Sequence, residues 1–128
     1  MQIAIRQYAD TWVAAPAGRV DHLSAQQFES ELTRLVTQAN GGSGSLVLDF
    51  SDVEYISSSG LRALMIIATQ MRSQQGKLVV SGLYSVVAEI FAISRFDRVL
   101  TVVPTLEDAL GHCSAAALAA YRQSAATP

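Results

Sequence analysis

The stretch Leu46–Leu64, LVLDFSDVEYISSSGLRAL, changes its hydrophobic period partway along, and the fold follows from where it does so. Leu46, Val47, Leu48 and Phe50 form a nearly unbroken apolar run, the pattern of a strand covered on both faces. From Leu61 the spacing is helical, with Leu61, Leu64, Ala68 and Met71 on one stripe. SDVEYI continues the extended region, and Ser57, Ser58, Ser59 and Gly60 stand where strand gives way to helix. A buried strand feeding an amphipathic helix is the repeating unit of a parallel α/β sheet.

The same unit recurs on either side. Upstream, QIAIRQY places Ile3 and Ile5 on one face, and TWVAAPAG supplies Trp12 and Val13 before Pro16 and Gly18. These read as two short antiparallel strands with the turn near YAD. Phe28, Leu32, Leu35 and Ala39 then mark a helix, with Ser24 and Gln27 spaced as a capping box, Asn40-Gly41 as a stop and GGSGS as a loop. Downstream, KLVVSG is a second central strand, and Val86, Val87, Ile90 and Phe91 form a shorter helical face. VLTVV is a strand closed by Pro104, and Thr105 with Asp108 opens a last helix that runs through AAALAAYRQ. The expected order is β-β-α-β-α-β-α-β-α: one α/β domain whose mixed sheet is mostly parallel after an N-terminal β-hairpin. Periodicity does not decide whether the helices lie on one face or both.

Composition narrows the function. A chain of 128 residues supports one compact core, and with 50% apolar residues it is not disordered. The net charge is −2 and the nine basic residues are scattered, so the clustered positive charge needed for nucleic acid is missing. The N-terminal MQIAIRQYAD lacks an export signal and no run approaches a membrane span, which predicts a cytoplasmic protein without a membrane span. Cys113, in an Ala-rich segment, is expected to be a small half-buried residue. Two distant histidines and one cysteine form no metal set. GGSGSL lacks the lysine and the strand-to-helix position of a phosphate loop, so no cofactor site is expected and any phosphate must come from another protein.

In an open parallel sheet, sites gather where strand ends meet helix N-termini, which is where ISSSG falls. Three roles are open to its hydroxyls. A serine there caps unpaired helical N–H groups, with Gly60 admitting a close approach or an unusual backbone angle. A serine pointing outward can instead accept a phosphate, whose charge the helix end tolerates. Nucleophilic catalysis needs a base; His22 and His112 are the only histidines, and Asp21-His22-Ser59 follows no known spacing.

GRVDHLSAQQF, LVLDFSDVEYISSSGLRAL and KLVVSGLYSVVAEIFAISRFDRVLTVVPTLEDAL, in this order, resemble the STAS domain of the bacterial anti-sigma factor antagonist family, over about residues 3–110. The resemblance implies a STAS domain over 1–112 and an Ala-rich helical extension with a loose tail over 113–128. It implies no enzyme but a phosphorylation-controlled binding switch. The unphosphorylated form would bind a serine-kinase-type anti-sigma factor, which supplies ATP and Mg, and a PP2C-type phosphatase would restore it. Ser58 falls on the family's phosphorylated hydroxyl, with Ser57 and Ser59 as alternates. Ser59 and Gly60 match the residues that follow it, and Asp21 matches the acidic residue of the family's Gly-x-Leu/Val-Asp turn. Ser57 replaces a frequent aspartate. Glu54 and Arg62 flank the site as candidate partner contacts or solvated charges. The alternative is a STAS scaffold or subunit of a transport or signalling assembly that is never phosphorylated.

Overall fold

The computed structural model describes residues 1–39 and 44–126. The Asn40-Gly41 stop and most of the GGSGS loop lie outside the described residues. Strands β1 (Gln2–Tyr8) and β2 (Thr11–Val20) form the expected hairpin, in register from Gln2↔Ala17 to Tyr8↔Thr11 around a two-residue turn, Ala9-Asp10. Helix α1 (Ala25–Ala39) leads to β3 (Ser45–Asp49), β4 (Asp52–Ile56) and the long α2 (Ser58–Ser73). The chain continues through β5 (Lys77–Ser81), α3 (Ser85–Ile93), a single turn α4 (Phe96–Val99), β6 (Thr101–Val103), α5 (Leu106–Cys113) and α6 (Ala115–Ala126). The six strands make one mixed sheet in the order β1-β2-β3-β5-β6, with β4 also on β2 and every pair except β1/β2 parallel.

The extended run after Leu46 is therefore two strands in line. The first half of β2 pairs with β3, Thr11↔Ser45 to Ala14↔Leu48, and the second half with β4, Ala17↔Asp52 to Val20↔Ile56. Between them β3 turns away and Phe50 donates its N–H to Ser81 O at 2.8 Å. This jog explains why β2 continues through Pro16: the proline falls in the two-residue gap, Ala15 and Pro16, that neither β3 nor β4 pairs, so its missing N–H costs little. Gly18, at φ +96°, accommodates the irregularity between Gly18 and Arg19.

Helices cover both faces. On one, α1, α2 and α3 bury Phe28, Leu32, Leu35, Leu64, Ile67, Met71, Val87 and Phe91 against the sheet. On the other, α5 and α6 bury Ala109, Leu110 and Ala117 against Tyr8, Val13, Val47 and Val79. Four local expectations shift. The expected last helix is two, α5 and α6, broken at Ser114, whose backbone is extended and whose Oγ accepts from Ala117 N–H at 2.9 Å. Val99 belongs to α4 and the last strand begins only at Thr101, because Phe96 packs on Phe91 and winds one helical turn before Leu100 enters the core. Val86 is 51% exposed, so the face of α3 is narrower than its apolar spacing. The Ser24/Gln27 box is not made: Ser24 Oγ donates to Arg19 O, while Gln27 pairs with Met1. At α5 the Thr105 hydroxyl does cap, accepting from Asp108 N–H at 3.1 Å.

Candidate functional site

Parallel pairing sets the site. Val20 and Ile56 are the last register partners of β2 and β4, and Ser57 N–H donates to Val20 O at 2.8 Å, extending the ladder one step. Asp21 and Ser57 therefore leave the sheet side by side, though 36 positions apart in the chain. Leu23 and the start of α1 follow one strand; α2 follows the other.

The three serines divide the work. Ser57 is the N-cap of α2: its backbone is extended, φ −88° and ψ 174°, and its Oγ accepts from Gly60 N–H at 3.2 Å. Ser58, the first helical residue, is exposed, and Ser59 is half-buried. With Gly60 capped by Ser57 Oγ and Leu61 bonded to Ser57 O, the N–H groups of Ser58 and Ser59 have no intrahelical partner at the positive end of a 16-residue helix. Gly60 is required by close approach rather than by backbone angle. A Cβ there would lie 2.8 Å from Val20 O and 2.7 Å from Ile56 Cγ1.

Asp21 is a turn cap. Its Oδ1 accepts from Leu23 N–H at 3.0 Å, Ser24 N–H at 3.2 Å and Ser24 Oγ at 3.2 Å. The Ser24 N–H is the first cause holding the carboxyl below the usual range; desolvation opposes it, and Leu23 N–H, the Ser24 hydroxyl and Arg19 lower it further. Arg19 is a member of this cluster that sequence spacing did not reveal. Its guanidinium lies 4.4 Å from the centre of the Tyr55 ring, its register partner, and its Nε is 3.9 Å from Asp21. Only the cross-strand pairing makes these residues neighbours.

Glu54 is exposed on β4, and Arg62 is exposed one helical turn beyond Ser58, on the edge of a shallow hollow with Met65, Ile66, Thr69 and Gln70. Apolar side chains also face water at the carboxyl ends of β2 and β5. Leu23 is 89% exposed, and Tyr84 and Val86, at the start of α3, are 48% and 51% exposed. Leu83 is half-buried against the core. Leu23 carried no signal in the sequence, since a single leucine in a turn looks like a buried one. Neither histidine is hydrogen-bonded to the serine run; His22 is exposed on the turn after Asp21. Among the described residues, no cluster of three His, Cys, Asp or Glu could hold a metal, and no helix is long and apolar enough to cross a membrane.

The sequence pattern of the STAS domain matches residues 2–109. The chain is 35% identical over 109 residues to the Bordetella bronchiseptica protein BtrV, named as a candidate anti-sigma factor antagonist, covering 85% of this chain and 91% of that one. The fold is similar to the crystal structure of an anti-sigma factor antagonist from Mycobacterium paratuberculosis, with a TM-score of 0.78, 23% identity and coverage of 88% and 92% of the two chains. It is also similar to the Bacillus cell fate determinant SpoIIAA in its phosphorylated form, with a TM-score of 0.66, 15% identity and coverage of 88% and 100%.

Proposed function

The chain belongs to the STAS domain family, and from that membership we propose that it is an anti-sigma factor antagonist controlled by phosphorylation of Ser58. The observation that carries this reading is the separation of roles at the start of α2. Ser57 caps the helix, which leaves Ser58 exposed beside two unpaired N–H groups. A phosphate of charge about −1.5 to −2 can be accepted there without costing the fold its cap. A relative of the same fold bearing phosphate, SpoIIAA, supports the compatibility of the fold with modification.

The unphosphorylated protein binds a serine-kinase-type anti-sigma factor over this corner and so frees the sigma factor. Leu23, Tyr84 and Val86 supply apolar surface for the contact, with Arg62 and Glu54 at its border. The kinase brings ATP and Mg and its own catalytic base, so this chain acts as substrate and ligand, not as an enzyme. Phosphate on Ser58 places a hydrated dianion where the interface has to lose water, and the complex dissociates. A PP2C-type phosphatase restores the binding form. Asp21 contributes by holding the turn that carries Leu23, which follows β2 where Ser57 follows β4.

Ser57 in place of the family's frequent aspartate leaves this arrangement intact, because a hydroxyl and a carboxylate both accept the Gly60 N–H. The test is to incubate the protein with ATP and serine-kinase-type anti-sigma factors from the same organism, locate phosphate by mass spectrometry, and measure affinity for the modifying kinase before and after modification. Phosphate on Ser58 with affinity reduced about thirtyfold or more is expected. No phosphate on residues 57–59 together with unaltered binding by Ser58→Asp would instead favour a constitutive STAS scaffold.

A further inference from the structure

The second face of the sheet is only half covered. Helices α5 and α6 close over Tyr8, Val13, Val47 and Val79, but beyond them a cleft of about 630 Å³ remains open over β1, β2 and the start of β4, within the size range of small-molecule sites. Register explains the space. On this face Ala4, Ala15 and Ala17 present small side chains, where the neighbouring stretch presents Tyr8 and Val13, and Gln2 stands at the rim. Leu106, the first residue of α5, forms one wall.

Opposite charges stand on the two sides of this floor. Arg6 is on the edge strand β1, while Asp49 ends β3 and Asp52 begins β4, so the two signs are separated by the width of β2, about 9.5 Å between strand axes. None of the three belongs to an ion pair; the salt bridges among the described residues are Arg19–Asp21, Arg34–Glu31 and Arg122–Glu107. The Tyr8 hydroxyl, first, and Asp49 across the cleft raise the pKa of the Arg6 guanidinium, which is charged at neutral pH in any case. Asp49 Oδ1 takes the Ser51 N–H at 3.0 Å, which leaves its second oxygen for another donor. The geometry points to a binding site for a small zwitterion: an anionic group on Arg6, an ammonium on Asp49 and Asp52, and a short apolar chain over Ala4, Ala15 and Ala17.

Such a ligand satisfies both signs at once, whereas a simple anion meets two carboxylates and a simple amine meets the guanidinium. The site is distinct from the serine run, because Asp52 begins β4 and the serines follow its other end, Ile56, about 13 Å away at the rise of a strand. Binding there is therefore measurable whether or not Ser58 is a phosphosite.

Amide NMR of the full chain, titrated with γ-aminobutanoate, ε-aminohexanoate and ω-aminooctanoate, tests the site, with hexanoate and hexylamine as single-charge controls. Saturable shifts at Ala4, Arg6, Ala15, Ala17 and Asp52 are expected for at least one zwitterion, with affinity roughly tenfold or more above both controls. Arg6→Gln and Asp52→Asn should each weaken that binding by a similar factor while leaving the rest of the spectrum unchanged. The site is refuted by equal binding of a control, by shifts confined to other parts of the molecule, by indifference to both substitutions, or by no saturable shift up to about 20 mM.

Discussion

Ser57 and Gly60 show how little freedom single residues have at the start of α2. Ser57→Ala removes the acceptor of the Gly60 N–H and is expected to cost about 1 kcal/mol, whereas Ser57→Asp should leave stability unchanged or slightly higher, since a carboxylate at the positive helix end accepts the same bond. Urea denaturation of the two variants separates these outcomes. Gly60→Ala should cost about 2 kcal/mol in the same assay, because the added methyl meets a backbone oxygen of β2 that cannot swing aside. Asp21 gives a pH signature. Its folded-state pKa lies below the unfolded value, so the stability it contributes is fully present at neutral pH and is lost as the pH falls below about 4 through the folded pKa. Asp21→Ala should therefore be less stable than the parent at pH 7, and the gap between their unfolding midpoints should close in acid. A constant gap from neutral pH into acid would show that the carboxylate charge is not what holds the turn.

At the scale of elements, α6 stands beyond residues 2–109, the extent of the STAS match, yet it is tied to the domain at three points. Ser114 Oγ donates to Asp10 in the hairpin turn at 2.8 Å, Ala117 is fully buried, and the Tyr121 ring meets Tyr8 edge-on with centroids 5.5 Å apart. Arg122 adds an exposed ion pair with Glu107 at 2.7 Å. These contacts differ in weight. Tyr121→Ala should cost about 2 kcal/mol through lost ring contact and burial. Arg122→Ala should cost less than about 0.5 kcal/mol, because water screens the pair. Thermal unfolding of both variants distinguishes a helix held by packing from one held by charge; a larger loss for Arg122→Ala would reverse that order.

For the whole molecule, the proposed switch works by changing a surface without changing the fold. Ser58 projects from the first turn of α2 and its neighbour carries the cap, so Ser58→Asp should alter unfolding free energy by no more than about 0.5 kcal/mol while weakening partner binding about thirtyfold. Circular dichroism and a binding titration on the same preparation test both parts; loss of binding accompanied by loss of the fold would reveal a destabilised protein rather than a switched interface.

Much of this architecture was legible in the chain because local chemistry acts locally. The apolar run Leu46–Leu48, the stripe Leu61–Met71 and the turn near Ala9-Asp10 each identify their own element through period and turn residues. The serines of ISSSG likewise announced a helix start, and their motif announced a family. The tertiary structure alone decided which serine caps and which is free, and why Pro16 is tolerated in β2. It alone put Arg19 over Tyr55 and left Arg6 facing Asp49 and Asp52 across a floor of alanines. The physical reason is common to all of these: parallel pairing and helix docking join segments tens of residues apart, and no local period records which strand will become another's neighbour.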